Sequence, residues 1–337
     1  MTSNAKKENM PENIHIFKIL NDDWYRFLSK LFAAVTSGTH QFFSEKSIQP
    51  ALLPITTGSI SSPMGLGSDS LPVKISLKGN DIFLADSMQF SLEVAARLNE
   101  FGAYYVMPSF RGEDTDARHL NEFFHAEAEI KGTLEDILPL IENYIVYITR
   151  HIFKTLKPEL EKFITDTSHI ESVIHEGRSV FKQVSYSDAL EELKGVNGAV
   201  RDIETKFPDI TPVGERKLLE KYGDFLWLTS LPRLNVPFYQ ASCDENFSKT
   251  ADLLAGIGEV IGCGERVYTC EDLVSSLNDH GVSLNSYVWY YEMRKISPQK
   301  TSGFGMGIER YLMWLTQKTD IRDFMLLYRD HQNIHFP

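Results

Sequence analysis

Phe110-Arg111-Gly112-Glu113-Asp114-Thr115-Asp116-Ala117-Arg118-His119-Leu120-Asn121-Glu122-Phe123 is the stretch whose reading decides the fold. Strand-like runs flank it, Ala103 to Phe110 before and Phe124 to Ile130 after, so its charged middle is expected to be a hairpin loop and its ends paired strands. Side chains alternate across a strand. Arg111 and Glu113 therefore share one face, and Phe123, His125, Glu127 and Glu129 share a face of the returning strand. A fixed cation, carboxylates and an aromatic plate on one face make an unusual set for a packed core. A guanidinium offers a fork for phosphate or carboxylate, a phenyl ring can stack a base, and a carboxylate can accept from an exocyclic amine. The combination suits a purine nucleoside triphosphate; the competing reading is a solvated hairpin with ordinary salt bridges.

Two further segments carry compatible chemistry. In Gly303-Phe304-Gly305-Met306-Gly307-Ile308-Glu309-Arg310 the glycines let backbone approach a ligand closely. They are expected in a strand and turn ahead of a helix from Ile308 to Leu315, whose first turn places Arg310 to clamp a terminal phosphate opposite Arg111. Asp252 and Glu259 stand seven positions apart with glycines between them, which suits two strands bringing oxygen ligands to one hard cation. Mg²⁺ on the phosphates of ATP is the natural candidate, since it prefers oxygen and keeps part of its water shell.

The first segment resembles motif 2 of class II aminoacyl-tRNA synthetases, Phe-Arg-x-Glu, a loop, then Arg-His-x-x-Glu-Phe, and the Gly303 segment is similar to motif 3 of that class. The resemblance implies an α+β fold, an antiparallel β-sheet flanked by helices. It also implies an ATP-dependent ligase in which an amino acid attacks ATP to give an acyl-adenylate and pyrophosphate. Arg111 and Arg310 then act as the catalytic charge-neutralising pair. Glu113, His119, Phe123 and Glu259 join them at ATP, with His119 near the γ-phosphate and Phe123 on adenine, and Asp252 and Glu259 hold the metal. Ile16, Phe17, Leu20, Trp24, Phe27, Leu28, Leu31, Phe32 and Val35 recur at helical spacing. That helix, placed before Phe42-Phe43 and Pro50, resembles motif 1, which implies a homodimer.

Finer features resemble the aspartyl/asparaginyl branch. In Asp86-Ser87-Met88-Gln89-Phe90-Ser91-Leu92-Glu93 the resemblance puts Ser87 and Gln89 on the substrate ammonium, and Leu92 stands where aspartate enzymes carry a Lys. Glu127 lies in a His-x-Glu-Ala-Glu run of the asparaginyl type, and Arg266 corresponds to the arginine that reads the amino-acid side chain. Cys263, in Gly262-Cys263-Gly264, is read as packing rather than as a nucleophile. An aspartate/asparagine-type amino acid is expected, with asparagine favoured.

The 337 residues, 42% hydrophobic and 24% charged, suffice for a sizeable core. A net charge of −12 argues against a broadly basic nucleic-acid-binding surface. Three cysteines without metal-ligand spacing fit a reducing cytoplasm, and no apolar run approaches the ~18 residues of a membrane span. Residues 1–13 are expected to be a disordered tail and 14–337 one catalytic domain, with 157–225 a helical flank or insertion. Hairpin strands are expected at Val73–Leu77 and Asp81–Ala85 around Gly79-Asn80, a loop at Thr56–Ser70, a Thr133-capped helix, and strands at Phe225–Ser230 and Pro237–Tyr239. No anticodon-binding barrel is expected ahead of the motif 1 helix, a shape similar to archaeal asparagine synthetases. Four residues separate Glu113 from Arg118 where the asparaginyl pattern has five. The expected acceptor is therefore a small amine, with amide formation. Ammonia with aspartate as substrate, and tRNA, are the alternatives, and a non-catalytic binding module is the reading from a different class.

Overall fold

The computed structural model describes residues 19–61 and 70–332. The expected tail, Ile16 and Phe17 lie outside these residues, as does the middle of the Thr56–Ser70 loop. The chain runs through α1 (Asp23–Glu45), β1 (Gln49–Pro50), β2 (Thr56–Thr57), β3 (Val73–Leu77), β4 (Asn80–Leu84) and α2 (Gln89–Leu98) to the central hairpin, β5 (Ala103–Phe110) and β6 (Glu122–Lys131). Next come α3 (Leu134–Phe163), α4 (Ser168–Glu176), β7 (Phe181–Ser185), α5 (Tyr186–Glu192), β8 (Val200–Arg201), β9 (Asp209–Ile210) and α6 (Pro212–Tyr222). It returns through β10 (Phe225–Thr229), β11 (Thr250–Ala255), β12 (Gly258–Glu265), α7 (Cys270–Asp279), α8 (Val288–Ile296), β13 (Thr301–Gly307) and α9 (Ile308–Thr316).

An eight-stranded sheet in the order β1-β5-β6-β13-β12-β11-β10-β7 forms the body, antiparallel except where β1 meets β5 and β7 meets β10. Alternation sorts its two faces. Tyr104, Ala126, Ala128, Ala251, Leu253, Ile261, Cys263, Phe304 and Met306 point into one core with α1, α3 and α9. Their neighbours in sequence point to the other face. Register then aligns Glu127 with Gly305, Gly305 with Gly262, and Gly262 with Asp252, so two acids flank a floor of glycine. The next row runs Glu129, Gly303, Gly264, Thr250. Bare glycines in the middle strands make the cleft: a Cβ on Gly303 would lie 1.8 Å from a Glu129 carboxylate oxygen, and one on Gly305 would lie 3.1 Å from Glu127.

Several expected boundaries shift. Helix α1 continues through Phe42 and Phe43, read as lying beyond it, because their rings keep the helical register and pack on Tyr144 and Tyr104; the Phe43–Tyr104 centroids are 4.5 Å apart. Leu20, placed on the apolar stripe, is 62% exposed. The β3–β4 turn is Lys78-Gly79, both at positive φ, one residue earlier than Gly79-Asn80. Thr56-Thr57, assigned to a loop, pair with β4. Pro237–Tyr239 form no strand; Phe238 and Tyr239 instead bury in a satellite cluster with Phe90, Tyr287 and Tyr290. Thr133 does cap α3, sharing a capping box with Asp136. Segment 157–225 is less helical than expected. It supplies β7 to the main sheet, with Phe181 to Ser185 in register against Phe225 to Thr229.

Candidate active site

Arg111, Glu113, Arg118, His119, Phe123, Glu259 and Arg310 line one cavity. The motif 2 loop is drawn shut at its base by Asn121, whose Nδ2 donates to the Arg111 and Glu113 carbonyls, both at 2.8 Å. The Arg111 guanidinium lies 5.4 Å from the Phe123 ring centroid, and its Nε is buried with no hydrogen-bond partner. Nε and Nη1 of Arg118 are in the same condition. Arg310 donates from Nη1 to the Glu259 carbonyl at 2.8 Å. Burial lowers its pKa, and the charges of Arg118 and Arg111 lower it further, against the pull of Glu259. Three guanidiniums converge here, and those of Arg111 and Arg118 keep buried donors without a partner. Such a site is built for a multiply charged anion, because unpaired buried donors carry a desolvation cost that phosphate oxygens would relieve.

His119, Glu113 and Glu309 stand around that trio. Burial, then the Arg310 charge, holds the His119 imidazole below its ordinary pKa despite Asp116 2.9 Å from Nδ1, so the ring is neutral at pH 7. Glu113 accepts from the Leu71 amide at 3.1 Å. Glu309 accepts from the Phe124 amide at 3.0 and 3.2 Å and so pins the start of α9 to β6; burial pushes its carboxyl up to about 8.

A second cavity, lined by Ser87, Gln89, Leu92, Glu127, Glu129, Asp252 and Arg266, continues from the first, since Arg111, His125, Glu259 and Gly305 line both. Ser87 Oγ donates to Glu127 at 2.7 Å and accepts from the Gln89 amide at 3.1 Å, so it ties the entry of α2 to the pocket, although Met88 and not Ser87 is the helix N-cap. His125 Nδ1 lies 2.9 Å from Glu127. Burial alone would raise the Glu127 carboxyl, but the bonds from His125, Tyr105 and Ser87 outweigh it and hold the pKa below the usual value. Arg266 grips Glu129 through Nε (3.2 Å) and Nη2 (3.0 Å) and donates from Nη1 to Gln240 at 2.9 Å. Burial pushes the Glu129 carboxyl up to about 6 against that pull, which leaves the pair ionic at neutral pH.

The proposed metal acids also meet. A bulge between Leu253 and Leu254 in the β11–β12 register turns Glu259 towards Asp252. A Cβ on Gly262 would lie 3.2 Å from Glu259 Oε1 and 3.5 Å from Asp252 Oδ1. Burial, then the negative charge of Glu259 and Glu215, pushes the Asp252 carboxyl well above its ordinary range. Two crowded oxygen donors over an open glycine fit a hard divalent cation. Among the described residues no group of three or more His, Cys, Asp or Glu has metal-holding geometry, so substrate oxygens and water would complete such a shell. Cys263 turns to the core, its thiol donating to the Ala251 carbonyl at 3.1 Å, which agrees with its reading as packing.

Residues 13–331 match the family described as tRNA synthetases class II (D, K and N). The chain belongs to that family. It is similar to the asparagine–tRNA ligase of Alkaliphilus metalliredigens (strain QYMF), 31% identical over 324 residues that cover 88% of this chain and 69% of that protein. It is also similar to the probable cytoplasmic asparagine–tRNA ligase of Encephalitozoon cuniculi (strain GB-M1), 33% identical over 268 residues that cover 76% of this chain. The chain spans 58% of the length of that second relative. Among solved structures, asparaginyl-tRNA synthetase from Pyrococcus horikoshii complexed with asparaginyl-adenylate superposes with a TM-score of 0.85 at 25% identity, covering 97% of this chain and 74% of that one. Among the described residues no helix is long and apolar enough to cross a membrane.

Within this synthetase core some buried polar residues have partners that the sequence motifs do not announce. Glu93, 0% exposed, accepts from Gln89 (3.2 Å), Tyr290 (2.6 Å) and Arg294 (3.3 Å) and lies 3.5 Å from Arg97. Its helical spacing from Gln89 was a usable signal; the tie to Tyr290 and Arg294, some two hundred positions later in the chain, was not. Asp86, which accepts from the Ser61 amide and hydroxyl at 3.2 and 3.1 Å, and Arg118 were likewise unassigned.

Proposed function

We propose that this chain activates asparagine with ATP, releasing pyrophosphate, and passes the asparaginyl group from the adenylate to the terminal hydroxyl of a tRNA, forming the ester and releasing AMP. The observation that carries the activation step is the joining of the two cavities. One gathers Arg111, Arg118 and Arg310, and the other offers Ser87, Gln89, Glu127 and Arg266. An α-carboxylate oxygen of the amino acid attacks the α-phosphorus, and the bond to pyrophosphate breaks. Arg111 and Arg310 neutralise the charge that develops on the phosphate oxygens, while Phe123 supports the adenine ring. Asp252 and Glu259 would hold Mg²⁺, which when bound supplies positive charge to the phosphates. No side-chain nucleophile is needed, and catalysis rests on positioning and electrostatics.

The relatives support tRNA as the acceptor. The small-amine acceptor expected from the short motif 2 loop is the weaker reading, because the similar proteins are asparagine–tRNA ligases. Pyrophosphate exchange measured across the twenty amino acids should respond to asparagine, and charging of asparagine tRNA should follow. Exchange driven by aspartate, with free asparagine appearing only on addition of ammonium, would replace this reading with an asparagine synthetase. Binding of ATP without any exchange would leave a non-catalytic module.

Glu259→Gln keeps the side chain's shape and removes one of the two charges over Gly262. The Mg²⁺ concentration for half-maximal exchange should rise about tenfold while the melting temperature holds. Early melting with ordinary Mg²⁺ dependence would make Glu259 structural.

A further inference from the structure

Segment 157–225, which carries no assigned chemistry, sends one side chain to Arg118, a residue of the nucleotide cavity. Glu215 lies in the first turn of α6, and its Oε2 accepts from Arg118 Nη2 at 2.9 Å. The mount is rigid. Thr211 Oγ1 accepts from the Val213 and Gly214 amides and caps the helix, and Leu218 is buried in the cluster of Val184, Leu226 and Leu254. Gly214 packs so closely that a Cβ there would lie 2.4 Å from the Ala199 carbonyl oxygen. The ion pair in turn sits on Gly258, whose φ is +139°; a Cβ at that position would lie 2.1 Å from Glu215 Oε2 and 2.5 Å from Arg118 Nη2. Both sides of the contact are therefore shaped for it.

We infer that Glu215 is a positioning residue for ATP: it anchors Nη2 of Arg118 so that Nε and Nη1 face the polyphosphate. Those two nitrogens are buried and have no partner. A guanidinium held on one edge by a carboxylate presents its remaining donors in a fixed fork. Arg118 otherwise stands on an open loop, where its backbone amide donates to Asp116 at 2.6 Å. Without Glu215 the long side chain would have to be ordered by ATP itself, at an entropic cost to binding. The segment thus acts as a brace that sets the phosphate end of the motif 2 loop from the far side of the cleft. This deepens the nucleotide half of the proposed function and rests on it.

The test compares Glu215→Gln, Glu215→Asp and Arg118→Ala, each read by calorimetric binding of Mg·ATP without amino acid and by steady-state exchange. Glu215→Gln should raise the KM for ATP about tenfold, leave the KM for asparagine within about twofold, and be partly rescued by Glu215→Asp. Combining Glu215→Gln with Arg118→Ala should weaken ATP binding no more than Arg118→Ala alone. Unchanged ATP affinity in Glu215→Gln, or effects that simply add in the double variant, would overturn the inference and leave a structural tie. The two readings separate cleanly: wild-type protein that binds Mg·ATP through Glu215 but catalyses no exchange defeats the proposed function alone, whereas normal wild-type exchange with an indifferent Glu215 defeats this inference alone.

Discussion

Arg310→Ala is expected to lower asparagine-dependent pyrophosphate exchange by about a hundredfold or more, and Arg111→Ala by a similar factor, in line with ~3 kcal/mol for one electrostatic donor at a transition state. The two residues act from different walls. Arg111 follows β5 and rests on the Phe123 ring, while Arg310 rises from the first turn of α9 and is held by the Glu259 carbonyl. Arg118 and Arg111 set like charge beside Arg310, and phosphate oxygens between them would offset it. Loss should appear in kcat as well as in the KM for ATP, because charge on the α-phosphate grows along the reaction path. Folding should suffer little. The Arg111 side chain has an unpartnered buried Nε, so its removal sacrifices few protein contacts. Full exchange in both variants would sink the assignment of this cleft; a lowered melting temperature with unaltered exchange would mark the arginines as structural.

Much of that cleft was legible because its information is local. The β5–β6 hairpin follows from alternation on either side of a charged loop, and the same alternation correctly puts Glu127 and Glu129 on one face and the packing alanines on the other. The glycines of β13 were readable as a strand before a helix, and the register now explains them: Gly303 and Gly305 lie opposite Glu129 and Glu127, whose carboxylates occupy the space a Cβ would need. What escaped depends on pairings distant in sequence. Strand β7 has five residues and a parallel partner, β10, that begins over forty positions later, so a pause in the helical pattern at Lys182 to Asp188 marks it without showing that it joins the sheet. The Arg118–Glu215 pair spans 97 positions. Turn chemistry accounts for the shift at Lys78-Gly79, where a lysine takes positive φ in a position that Asn or Gly usually signals. In the case of Phe238, burial decided the outcome: the ring is drawn into the Tyr287 and Tyr290 cluster rather than laid along a sheet edge.

Leu92→Lys is expected to move amino-acid preference from asparagine towards aspartate, with the ratio of kcat/KM values falling by at least about tenfold. The argument is one of charge balance. Arg266 is the cation closest in role to a side-chain reader, yet Glu129 already holds it through two of its nitrogens and Gln240 engages the third. An arginine has five donor hydrogens, so after these contacts one remains on each Nη, enough to donate to an amide carbonyl. The charge, however, is matched by Glu129. Glu127 adds a carboxylate whose pKa is held below the usual value by His125, Tyr105 and Ser87, so it is ionised at neutral pH. An aspartate side chain would bring a further negative charge beside these acids where, among the described residues lining the cavity, Arg266 is already matched by Glu129 and Arg111 is assigned to the phosphates, and a buried like-charge contact costs several kcal/mol. The asparagine amide is neutral, can accept from Arg266 and can donate to Glu127, so it leaves no group unpaired. Leu92 is buried at 1% exposure on the wall of this cavity, and it is the position from which an ammonium could restore the balance. Because a lysine placed there is itself buried, its stability should be checked by melting in the presence of aspartate; ligand-dependent recovery is expected, since the carboxylate supplies the missing partner. If the variant is well folded and still prefers asparagine as strongly as the wild type, the discrimination does not lie in this charge balance, and Glu127 with Arg266 is not the pair that reads the side chain.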